Sequence, residues 1–145
     1  MYTKNGVKHA KIVAALGEWE VLQGRPTYEE AVQQLAKFLS IKLTNREKFC
    51  DIGDYGLCAE NFAIITKDEL ECCRRQIQAR STFRRRIKFW TRVFPTVNFY
   101  GREYHALVMP EMVLWEFSGV TQEEMKEICR QLSETAGVAM RLCEK

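Results

Sequence analysis

A four-residue pattern, Thr-x-x-Glu, recurs along the chain: TYEE from Thr27, TNRE from Thr44, TKDE from Thr66 and TQEE from Thr121. It constrains the fold more than any other feature, because it marks where helices begin. A helix leaves its first N–H groups without partners inside the helix. A threonine hydroxyl at the N-cap accepts from the N3 amide, and a glutamate at N3 reaches back to the N-cap amide. Each site also puts acids into the first turn, where the helix dipole favours them. Helices are therefore predicted to start near residues 28, 45, 67 and 122.

Apolar spacing fills in the rest. A preceding helix is expected from about Val7 to Leu22, with Ile12, Leu16 and Trp19 on one side, ended by Gly24-Arg25-Pro26. The second helix runs to about Leu39, burying Ala31, Leu35, Phe38 and Leu39, and the third is short, with Phe49 and Ile52, closed by the loop DIGDYGL. The fourth takes Leu70, Cys73 and Ile77 inward, and the helix from 122 does the same with Met125, Ile128, Cys129 and Leu132. NFAII (61–65) reads as a short strand, TVNFYGREYHALVM as a hairpin turning at YGRE, and GVAMRLCEK as a last strand. PEMVLWEFSG reads either as a strand or as one or two helical turns. The expected fold is α+β, mainly helical, with a small antiparallel sheet, in one domain over 1–145.

Chemistry is harder to find. Six cysteines (Cys50, Cys58, Cys72, Cys73, Cys129 and Cys143) contain no CxxC pair and are expected as reduced thiols rather than disulfides or metal ligands. The apolar run IVAALG is too short for a signal peptide, and no run approaches a membrane span, so a cytoplasmic protein is expected. Neither a P-loop nor GxGxxG occurs, so no cofactor is predicted. His9 and His105 come without a nucleophile–base pattern, and Asp51, Asp54 and Glu60 read as turn formers. No catalytic residue and no metal ligand is predicted, and an enzyme is not expected.

Charge is the exception. No acid lies between Glu71 and Glu103, whereas Arg74, Arg75, Arg80, Arg84, Arg85, Arg86, Lys88, Arg92 and Arg102 do. That segment carries +9 in a chain of net charge +3, which leaves −6 elsewhere. Glu71 can pair with Arg74 and Arg75 at helical spacing. If 82–93 is a helix, Phe83, Ile87, Trp90 and Phe94 form its buried stripe, and Arg85, Lys88 and Arg92 form the opposite face. An apolar inner face with arginines outside is what a groove-reading helix requires.

The order from about 45 to 109, helix, short strand, helix, turn, helix, hairpin, resembles the winged helix-turn-helix arrangement, flanked by extra N- and C-terminal helices. The resemblance implies that 82–93 is a recognition helix and that the hairpin with Gly101 and Arg102 is a wing. On this reading the protein is a DNA-binding regulator or accessory factor, expected to pair as a homodimer. Arg84, Arg85, Lys88 and Arg92 would contact duplex DNA, flanked by phosphate contacts from Arg80, Arg86 and Arg102. If RNA were the ligand instead, Phe89, Tyr100 and Tyr104 should be exposed for stacking. The alternative is a protein-interaction module or small inhibitor that docks an acidic partner through the same helix. Every version requires cations not already covered by the chain's own carboxylates.

Overall fold

The structure, a computed structural model, describes residues 28–38, 45–99 and 103–144. The helix expected over 7–22, the hairpin turn and Arg102 lie outside these residues.

Each Thr-x-x-Glu site does precede a helix. These are α1 (Tyr28–Phe38), α2 (Asn45–Lys48), α3 (Lys67–Phe83) and α4 (Gln122–Ala136). At Thr66 and Thr121 both halves of the capping box form. α4 stops at Gly137, whose left-handed backbone (φ 66°) turns the chain away from the axis.

Among the described residues seven strands accompany them: β1 (Tyr55–Ala59), β2 (Ala63–Ile65), β3 (Lys88–Thr91), β4 (Val97–Phe99), β5 (Glu103–Val108), β6 (Val113–Ser118) and β7 (Met140–Glu144). They form two antiparallel sheets, ordered β3-β6-β1-β7 and β2-β5-β4. Cys73 and Ile77 of α3, with Met125, Ile128 and Leu132 of α4, pack on Leu57, Trp115 and Phe117 of the larger sheet. Alternation then divides the smaller sheet. Ala63, Ile65, Ala106 and Val108 join this core, while Ile64 and Leu107 face Val32, Leu35 and Ala36 of α1.

The expected hairpin is β4–β5, with Phe99 opposite Glu103. PEMVLWEFSG resolves as β6, and DIGDYGL is only partly a loop, since its last three residues open β1.

The mainly helical balance and the winged helix-turn-helix core over 45–109 are overturned. α3 runs unbroken through Ala79-Arg80-Ser81 to Phe83, and the next element is the strand β3. With no second helix after a tight turn, the recognition helix over 82–93 does not exist. The reason is one of period. Phe83, Ile87, Trp90 and Phe94 fit a helical spacing, but Ile87, Phe89, Thr91 and Val93 fit a spacing of two. Pairing decides between them: β3 lies along β6 with Phe89 opposite Phe117 and Trp90 opposite Glu116. Phe89-Trp90-Thr91 is also a run that a pleated surface favours. Ile87 and Val93 are buried accordingly, while Phe83 and Phe94 are exposed.

Candidate functional site

The cationic segment is the end of α3 and the turn that follows it. α3 begins on Thr66, whose Oγ1 accepts from the Glu69 amide at 3.2 Å while its own amide donates to Glu69 Oε1 at 3.0 Å. It ends on Arg84, whose amide donates to the Arg80 carbonyl at 2.8 Å. The Ile87 amide donates to the Arg84 carbonyl at 3.0 Å, and Ser81 Oγ donates to the Ile87 carbonyl at 2.8 Å. Burial of Ile87 pulls the chain back toward the core, so Arg84, Arg85 and Arg86 stand in sequence on an exposed turn.

The basic side chains differ in what they touch. Arg80 donates from Nε and Nη2 to Gln131 Oε1, at 3.0 and 2.7 Å. Arg84 lies 3.6 Å from Glu124, and Arg86 is 2.7 Å from the same carboxylate while also donating to the Gly119 carbonyl at 3.1 Å. Glu124 closes the capping box of α4 by accepting from the Thr121 amide at 3.0 Å. That bond first, then the arginines, hold its carboxyl below the usual range. Arg74 and Arg75 share Glu71. Each of these acids serves two guanidiniums, so each group keeps a net positive charge. Arg85 and Lys88 are exposed, and no described acid pairs with either.

Arg92 points elsewhere. Its Nη1 donates to Glu116 Oε2 at 3.0 Å and to the Phe49 carbonyl at 2.6 Å. Glu116 is fully buried on β6. Its Oε1 accepts from the amides of Asp51, Ile52 and Gly53 at 2.6, 2.7 and 3.1 Å, and from the Cys50 thiol at 3.1 Å. Burial opposes ionisation, yet these donors overcome it and bring the Glu116 carboxyl down to about 2. The same burial, with the carboxylate alongside, pushes the Cys50 thiol up to about 12. Sequence reasoning missed Glu116. Its one signal is an acid inside an otherwise apolar strand, VLWEFS.

The aromatic assignments also change. Phe89 packs against the core and is unavailable for stacking. Phe83, assigned to the buried stripe, is 84% exposed, with the Arg84 guanidinium 5.9 Å from its ring centre. His105 is buried in β5, and Asp54 accepts from Ser118 Oγ at 3.1 Å. Among the described residues no group of His, Cys, Asp or Glu is placed to hold a metal ion, and no helix is long and apolar enough to cross a membrane.

A structural α+β scaffold that carries cations on one exposed turn is thus the class of protein that these residues define. No family model matches the chain. Individual proteins do. The large ribosomal subunit protein uL16 of Akkermansia muciniphila is 30% identical over 103 residues, which span 61% of this chain and 72% of that protein. The uL16 of Fusobacterium nucleatum is 30% identical over 101 residues, covering 60% and 69%. That of Chlamydia abortus is 24% identical over 127 residues, covering 78% and 90%. The chain belongs to the uL16 family of large ribosomal subunit proteins. It is not an enzyme, as its relatives are ribosome components. Those relatives overturn the DNA-binding transcription regulator, and with it the small inhibitor of an acidic protein.

Proposed function

We propose that this chain is a component of a large ribosomal subunit and binds ribosomal RNA through the turn at 84–87 and Lys88, which opens β3. Family membership supports the assembly, and a cytoplasmic location goes with it. The observation that carries the RNA contact is the exposure of Arg85 and Lys88 with no described acid beside them. Polyanion binding needs cations that can release counterions, and these two can. Arg84 and Arg86, two guanidiniums on one carboxylate, add to the local field. Arg80 and Arg92 take a lesser part, since Gln131 and Glu116 hold their donors inward. A planar guanidinium bonds two phosphate oxygens at once, which suits a turn with three consecutive arginines. Duplex DNA forms no part of this reading.

Sedimentation of the tagged chain with ribosomal particles tests it. The wild type should travel with the large subunit at low salt. An Arg85→Glu, Lys88→Glu double variant should remain folded by circular dichroism and shift toward the top of the gradient. Wild-type protein found only at the top, with no affinity for deproteinised ribosomal RNA, would overturn the reading.

A further inference from the structure

Charge alone leaves the ring of Phe83 unexplained. The last residue of α3 is a phenylalanine 84% open to solvent, beside a core that buries most large apolar side chains. Arg75, Ala79 and Phe83 recur every fourth residue, so they lie along one face of the helix. Ala79 is the small member. The space above it is open, bounded by Arg75 one turn before and by Phe83 one turn after. Two grooves meet on this ridge. One, of about 790 Å³, runs along Arg74, Gln78, Thr82 and Arg85. The other, of about 650 Å³, runs along Arg80, Arg84, Ile87, Gln131 and the Glu124 carboxylate that already pairs with Arg84. Both are open to solvent rather than enclosed.

We propose that Phe83 is a stacking platform for one unpaired RNA base, with Arg75 and Arg85 holding the phosphates on either side of it. The inference rests on the ribosomal reading above and deepens it. An apolar protein side chain laid on Phe83 would desolvate the surrounding guanidiniums without supplying an anion. A nucleotide brings a flat π-face for the exposed ring, and negative charge for Arg85, which no described acid pairs, and for Arg75, which only shares Glu71 with Arg74. Stacking of this kind tolerates any base, because each has a π-face.

Two RNA hairpins separate the outcomes. They are identical except that one carries a bulged 2-aminopurine and the other has that position paired. The wild type should quench the bulged 2-aminopurine and prefer the bulged hairpin. Phe83→Ala should weaken binding to the bulged hairpin roughly five- to hundredfold. Its affinity for the paired hairpin and its thermal midpoint should not move, since the ring is exposed, and Phe83→Trp should restore the preference. If Phe83→Ala leaves affinity and quenching at the bulge unchanged while both hairpins still bind, the platform is refuted and the ribosomal reading stands. If neither hairpin nor ribosomal RNA binds at low salt, both fall. A Phe83→Ala protein that keeps full RNA affinity but no longer sediments with the large subunit would refute the base and point to a protein contact.

Discussion

Removing the Glu116 carboxylate would strand the amides of Asp51, Ile52 and Gly53 together with the Arg92 guanidinium. Glu116→Ala should therefore cost about 3–5 kcal/mol, read from the urea midpoint. Glu116→Gln keeps an acceptor for the amides and should cost less, roughly 1–3 kcal/mol. The pH dependence has a definite sign. The folded carboxyl is held at about 2, below its ordinary 4.5, so its contribution is fully present above pH 4.5. It is lost as pH falls toward 2, and the total is roughly 3 kcal/mol. Wild-type stability should fall more steeply than that of Glu116→Gln between pH 5 and pH 2.5. Equal slopes would mean that another group governs the acid limb. None of this could be read along the chain. The partners lie 63 to 66 positions away, and only folding brings that loop onto β6.

For the elements, the turn after α3 depends on a backbone contact. Gly119 has φ +73°, and a Cβ there would lie 1.8 Å from the Arg86 carbonyl oxygen. Gly119→Ala must displace the turn as well as strain its own backbone. It should cost more than ~1 kcal/mol in thermal stability and weaken RNA binding in parallel. Unchanged RNA affinity would show that the arginines need no fixed turn. Thr66→Ala removes half of the α3 capping box and should cost about 1 kcal/mol while sparing RNA affinity. The helix starts were legible because a cap is a local motif: Thr66 and Glu69 bond each other across one turn. The stretch after Phe83 was not. Ile87, Trp90 and Phe94 suit one period, Ile87, Phe89 and Val93 the other, and β6, which settles the matter, lies over twenty residues downstream. Of the site, the charge of Arg84 to Lys88 was legible. The inward turn of Arg92 and the outward one of Phe83 followed from that unreadable choice of period.

Across the whole molecule, the acids outside the basic segment return to it in space. Glu124 meets Arg84 and Arg86, and Glu116 meets Arg92. Cations already partnered release fewer counterions. On single-stranded RNA, four free phosphate contacts would give a slope of log K against log salt near −2.8, and two would give about −1.4. The wild type should fall between these values. Glu124→Gln retains a side chain suited to the capping box and removes the charge. It should tighten RNA binding roughly two- to fivefold and steepen the slope toward about −2.8, as titrations at two salt concentrations would show. On the ribosomal reading proposed above, an incoming phosphate must displace a carboxylate that the Thr121 amide already holds in place. The first turn of α4 would then act as a governor on adhesion: one anion traded for another, with stray polymers that cannot outbid that glutamate let go.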